Sequence, residues 1–208
     1  MQIETLATGG IPQAIHAMRN PFDSWGKSDS HNTKDVCGYK VGPADQSLSM
    51  TLAEAGPEHG KHLRMIVVWA EIIAPRYWWM QFDTYRHGVE KVSCSTMHTI
   101  MRHPLSEENF EGHVLPGVLD ILNTLIDRYK AEPDAQRKKD IWYRLIQNLP
   151  QSFLQERTVM MSYAAIRAMY HQRNGHKLGE WAEFRRWAET LPESWMITDE
   201  EGMAAKVE

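Results

Sequence analysis

The side chains best able to do chemistry concentrate between Ala74 and His98, in APRYWWMQFDTYRHGVEKVSCSTMH. Asp83, Arg86, His87 and Cys94 are reactive or ionisable, and Ser93, Ser95 and Thr96 add hydroxyls. A hydroxyl-rich loop of this kind can hold a polar ligand against exposed backbone amides. The same Ser and Thr residues serve equally well to cap the next helix. Cys94 is a candidate nucleophile, because a nearby cation such as Arg86, His87 or Lys91 would favour its thiolate. As a free Cys it is also an ordinary small interior side chain. A second cluster runs from Tyr170 to Trp181, YHQRNGHKLGEW. There Arg173, beside Asn174-Gly175 and His176, offers a guanidinium fork suited to a planar, anionic ligand. The plainer alternative is a cation compensating the dipole at a helix C-terminus. His59 and His62 lack a further acidic or Cys neighbour at metal spacing, so they read as solvated or polar rim, and no metal is expected.

These residues need elements to position them. Arg64 to Ile73 is apolar, β-branched and aromatic, which suits a strand covered on both faces. Pro75 then opens a helix with an aromatic face of Tyr77, Trp78, Phe82 and Tyr85, ended by His87-Gly88. Those aromatics also serve as ordinary core. Upstream, Gln2–Leu6 reads as a short strand and Pro12–Met18 as a helix burying Ala14, Ile15 and Met18. The loop from Asn20 to Asn32 is a connection or a ligand-facing flap, with Phe22 and Trp25 favouring the flap. Pro43–Ala55 reads as a helix with Leu48, Leu52 and Ala55 inward and Gly56 as its stop. Downstream, Pro116 opens a helix striped by Leu119, Leu122, Ile126 and Tyr129. Pro133–Asn148 follows with Ile141, Trp142, Leu145 and Ile146 buried and a solvated Arg137-Lys138-Lys139 face. Leu149-Pro150 then starts the longest helix, Ser152 to Arg173, and a last helix runs through Phe184 and Trp187 to Leu191.

Composition sets the bounds. The 208 residues, 42% apolar and 24% charged, suit a globular protein with a sizeable core. The expected fold is α/β (α+β), a helix-rich single domain over residues 1–198 with a loose charged tail over 199–208. A net charge of −4 supplies no global basic field for nucleic acid. Cys37 and Cys94 make neither a metal cluster nor a disulfide framework. Without a signal peptide or an 18-residue apolar run, a cytoplasmic protein with no membrane association is the expectation. Eight Trp residues are more than one core of this size readily hides, which points to a homo-oligomer.

Taken together, the two clusters resemble the flavin-dependent thymidylate synthases over roughly Ala44 to Trp187. The central motif region is similar to the strand, Ala74-Pro75, aromatic helix and Ser-containing loop. The family's C-terminal nucleotide-binding segment is similar to Leu149-Pro150 followed by Arg173, His176, Glu180 and Trp181. The string APRYWWMQFDTYRHG…SCSTMH also resembles uncharacterised phage and prophage proteins distantly similar to those synthases. The resemblance implies a homotetramer binding FAD and dUMP at subunit interfaces, in the host cytoplasm if phage-encoded. It makes Arg173 the pyrimidine-contacting Arg and assigns the cofactor to His62 and His176. Arg86, Ser93, Ser95 and Arg157 go to the substrate, with Glu156 the alternative to Arg157 as the phosphate-binding position. Cys94, in place of a signature Ser, would add to the ring carbon beside the reacting one. Thr84-Tyr85-Arg86 stands where the family has Arg-His-Arg, and the later signature positions fall on Val89, Lys91, Cys94, Thr96 and Met97. Two readings follow. One is an enzyme transferring a one-carbon unit to a uridylate-type nucleotide, as a thymidylate-synthase-like methyltransferase does. The other is a non-catalytic protein that binds or sequesters such a nucleotide.

Overall fold

The computed structural model describes residues 1–33 and 38–199. Cys37 and the expected charged tail from residue 200 on lie outside the described residues. In chain order the elements are β1 (Gln2–Gly9), α1 (Ile11–Met18), β2 (His31–Asn32), β3 (Tyr39–Lys40), α2 (Pro43–Glu54), β4 (Val67–Pro75), α3 (Arg76–Phe82), β5 (Val89–Ser93), α4 (Thr96–Thr99), α5 (Val118–Ala131), α6 (Ala135–Asn148), β6 (Leu154–Ser162), α7 (Tyr163–Gln172), α8 (Gly179–Glu189) and α9 (Trp195–Thr198). A four-stranded sheet has the order β1-β4-β6-β5, and β2 pairs antiparallel with β3. This is the helix-rich α/β class that the sequence leads one to expect.

The chain divides into two compact units. One comprises residues 1–2, 72–84 and 92–158, and the other the described residues of 3–71, 85–91 and 159–199. In the first, the α5–α6 pair closes a core of Ile100, Met101, Phe110, Leu122, Ile126, Leu145 and Leu149. Burying side chains of this size contributes about 1.5–3 kcal/mol each. Asp134 caps α6 by accepting from the Arg137 amide at 2.9 Å. In the second unit, α7 packs against α8, α9 and a 3-10 turn over Gly60–Arg64. Tyr163, Ile166 and Met169 of α7 are all fully buried. Ser162 caps α7 by accepting from the Ala165 amide at 3.2 Å.

Several expectations change. The helix expected over Ser152–Arg173 is a strand, β6, joined directly to the shorter helix α7. Val159 and Met161 are buried at alternate positions of β6, so the sheet's two-residue period governs there. The strand expected over Arg64–Ile73 begins three residues later, because Gly60–Arg64 coils into the 3-10 turn. Pro75 ends that strand rather than opening the helix, and α3 stops at Phe82, well before Gly88. Val89–Ser93, between the expected helix end at His87-Gly88 and the loop expected from Ser93, is β5. On α2 the inward face is Asp45 and Ser49, while Leu48 and Leu52 are half-buried and Ala55 is exposed. Asp45 tolerates full burial because Arg19 Nε donates to it at 2.6 Å and the Ser28 and Ser30 hydroxyls each at 2.6 Å. Burial alone would raise its pKa, but those bonds and the Arg19 charge hold it below the usual carboxylate value.

Candidate functional site

In the second unit, Arg173 is the C-cap residue of α7, and Gly175 (φ 66°) turns the chain toward α8. Arg173 Nε donates to the Tyr85 hydroxyl at 2.9 Å, and that hydroxyl donates to Gln172 Oε1 at 3.1 Å. The guanidinium carbon lies 4.7 Å from the Trp181 ring centre and 5.4 Å from that of Tyr85. Trp181 is fully buried, so the cation rests on a fixed platform rather than swinging at a helix end. Its two terminal nitrogens have no partner among the described residues. His176 packs against the same Trp181, with ring centres 6.3 Å apart. Its Nδ1 accepts from the Leu178 amide at 3.1 Å, which leaves the proton on Nε2 of the neutral ring. The arrangement offers a planar cation with free donors beside aromatic faces, able to address a planar oxygen-bearing ring.

Gly88 packs against the start of α7, the helix that ends at Arg173. Its carbonyl accepts from the Ser162 amide at 2.8 Å, and its φ of 69° is a left-handed value. A Cβ there would collide with the Ser162 hydroxyl that caps α7.

In the first unit, Arg157 on β6 is already committed. Nη1 donates to both oxygens of Asp83, at 3.0 and 3.3 Å, while Nε and Nη2 donate to Gln155 Oε1 at 3.3 and 2.8 Å. Its guanidinium carbon lies 4.2 Å from the Trp79 ring centre. Burial pushes its pKa down and Asp83 counters that, so the group stays charged. A phosphate would therefore have to displace Asp83. Glu156 is exposed on the opposite face of the strand. Ser93 and Cys94 are exposed, which removes the interior reading of Cys94. The Cys94 amide donates to the Glu156 carbonyl at 2.9 Å, extending the β5–β6 pairing. Ser95 fills the N-cap position of α4 without a side-chain cap bond, its carbonyl accepting from the His98 and Thr99 amides at 3.1 Å each. Arg86, in the second unit, is exposed.

His62 is a correction. Rather than solvated or at a polar rim, it is 3% exposed, and its Nε2 meets the Ser49 hydroxyl at 2.7 Å. Burial pushes its pKa down to about 4, so the ring is neutral at pH 7. Its Nδ1 is buried without a hydrogen-bond partner. His62 also lines a cavity of about 1220 Å³, walled by Met18, Phe22, Leu48, Leu52 and Met65 and edged by Lys27, Lys61, Asp23 and Glu58. A large, mostly apolar cavity edged by charged side chains of both signs has room for a flat, ring-bearing ligand. The cavity also explains the inverted face of α2, since Leu48 and Leu52 serve as its wall.

Of the residues singled out in the sequence, the structure brings Arg173 and His176 together on Trp181. Tyr85, the missed partner, had counted only toward an aromatic helix face. Asp83 and Gln155 were missed beside Arg157, although Gln155 and Arg157 share a strand face by their spacing of two. Among the described residues, no group of three His, Cys, Asp or Glu side chains could hold a metal ion, and no helix is long and apolar enough to cross a membrane.

In fold this is a helix-rich α/β protein similar to the flavin-dependent thymidylate synthases. Thymidylate Synthase X (ThyX) from Helicobacter pylori with FAD and dUMP superposes with a TM-score of 0.69 and 16% identity, covering 96% of this chain and 98% of that one. Another structure of flavin-dependent thymidylate synthase ThyX from Helicobacter pylori, complexed with FAD and dUMP, gives 0.68 and 17%, covering 96% and 99%. At these identities the likeness is one of fold. No protein-family model matches the sequence, and no curated protein matches it either.

Proposed function

We propose that this chain binds a uridylate-type pyrimidine nucleotide, with Arg173 as the residue that addresses the base. The observation that carries the reading is the fixed guanidinium on Trp181 and Tyr85, with its terminal nitrogens unpartnered among the described residues. The ThyX structures of the same fold hold dUMP and FAD, which supports a nucleotide and a flavin as the ligand classes. Here Arg173 holds the pyrimidine oxygen and withdraws charge from the ring, while His176 keeps an Nε2–H donor beside the same tryptophan. FAD, when bound, would supply hydride chemistry, with Lys27 and Lys61 at the edge of the cavity that His62 lines as the residues that would hold it. The resulting activity is transfer of a one-carbon unit to the nucleotide, in a homotetramer.

One observation favours a second reading, binding without turnover. Arg157 is paired internally with Asp83 and Gln155, and Arg86 alone remains of the family's Arg-His-Arg. Calorimetric titration with dUMP tests the shared core of both readings. The wild type binds, and Arg173→Lys binds at least about tenfold more weakly, because lysine lacks the planar fork. Equal binding by the variant, or none by the wild type, contradicts the proposal. A flavin band near about 450 nm in the purified protein separates the enzyme from the non-catalytic binder.

A further inference from the structure

Away from Arg173, the second unit contains a cavity of about 220 Å³ between the turn after α2 and one face of α7. Gly56, Gly60, Ala164 and Ala168 line it, so no large side chain fills it from those positions. Arg64, Arg167 and His171 also line it, and no acidic residue does. The nearest carboxylates are instructive. Asp199 sits across two of these three side chains, with Oδ1 on Arg167 Nη1 and Oδ2 3.2 Å from His171 Nε2. Glu58 lies against Gly56, its Oε2 3.4 Å from where a Cβ would stand. The backbone takes part as well. Arg64 Nη2 donates to the Pro57 carbonyl, Arg167 Nη1 to Met196 O at 3.3 Å, and His171 Nε2 to Ile197 O at 3.0 Å.

This pattern has a chemical reading. Two guanidiniums and an imidazole around a cavity with small walls focus positive potential in it. The Asp199 carboxylate spans Arg167 and His171, so these two side chains stand at the spacing of two oxygens of one oxyanion. The volume suits a tetrahedral anion and is below that of ordinary drug-sized sites, roughly 300–1,000 Å³. We propose that this cavity binds a small oxyanion of the phosphate class on Arg64, Arg167 and His171, with Asp199 as its built-in competitor. Phosphate binding would free the Asp199 side chain from Arg167 and His171 of α7. The proposal does not depend on the nucleotide reading.

The test is calorimetric titration of the full chain with inorganic phosphate at fixed ionic strength, chloride being the matched control. Asp199→Asn keeps the side-chain size and removes the competing charge, so it should tighten phosphate binding about tenfold. Arg167→Gln and Arg64→Gln should each weaken it about tenfold, and Arg173→Lys should leave it unchanged. Glycerol 2-phosphate, run in parallel, separates the sources: equal binding indicates a phosphomonoester, and binding of inorganic phosphate alone indicates the free ion. No binding to Asp199→Asn, or the same affinity in wild type, Asp199→Asn and both arginine variants, overturns the proposal. Asp199→Asn carries the decision even if an arginine variant fails to fold.

Discussion

Replacing His62 by Gln should alter how stability depends on pH, and the size of the effect follows from its burial. The imidazole is 3% exposed, and its pKa falls from 6.5 to about 4 on folding. Above pH 6.5 both folded and unfolded chains carry it neutral, and its contribution is fully present. As pH falls, the unfolded chain takes up a proton that the folded chain refuses until about pH 4, so stability is lost across that window. The fall from 6.5 to about 4 corresponds to a limit of roughly 3–4 kcal/mol, at about 1.4 kcal/mol for each tenfold change in proton affinity. The assay is urea unfolding of wild type and His62→Gln between about pH 7 and about pH 4. Other groups titrate in this range, so the informative quantity is the difference between the two proteins. That difference should move by about 1 kcal/mol one unit below pH 6.5 and approach about 3 kcal/mol near pH 4, always against the wild type. Parallel stability curves would refute the reasoning, because they would require His62 to titrate as freely in the folded chain as in the unfolded one.

Three further outcomes are expected. Asp45→Ala leaves Arg19, only 5% exposed, as an uncompensated buried cation, which should cost about 3–5 kcal/mol in urea unfolding; a loss below about 1 kcal/mol would contradict it. Gly88→Ala puts a Cβ at φ 69° against the Ser162 cap, so thermal unfolding should reveal about 2 kcal/mol of destabilisation, together with weaker dUMP binding through α7. Cys94 is exposed, so iodoacetamide should label it in the folded chain without denaturant. Labelling that needs unfolding contradicts this placement, and protection by dUMP is what a nucleophilic role requires.

Much of the fold is legible in the sequence where one local signal dominates. The boundaries of α1, α2, α5 and α6 follow from Pro or Asp at their starts and from apolar positions three and four apart. Leu154–Ser162 defeats such reading, because Phe153, Val159, Met160 and Tyr163 suit a helical stripe as well as they suit a strand. Sheet pairing decides between the two, and it comes from residues far away in the chain. The inward face of α2 is hidden for the same reason: Asp45 is buried because Arg19, 26 positions earlier, and the Ser28 and Ser30 hydroxyls meet it. In the candidate site, Arg173, His176 and Trp181 are visible because nine residues of chain contain them all. Tyr85, which orients the arginine, is 88 positions from it, so only the folded chain reveals the pairing.

The central claim is that Arg173 on its aromatic platform meets a pyrimidine nucleotide. The most direct measurement is the ¹⁵N-edited spectrum of arginine side chains during titration with dUMP. The Arg173 Nε–H resonance, assigned from Arg173→Lys, should shift saturably with the calorimetric affinity, while that of Arg185, stacked on Tyr170, stays fixed. If dUMP binds and the Arg173 signal does not move, the nucleotide sits elsewhere and the account is wrong.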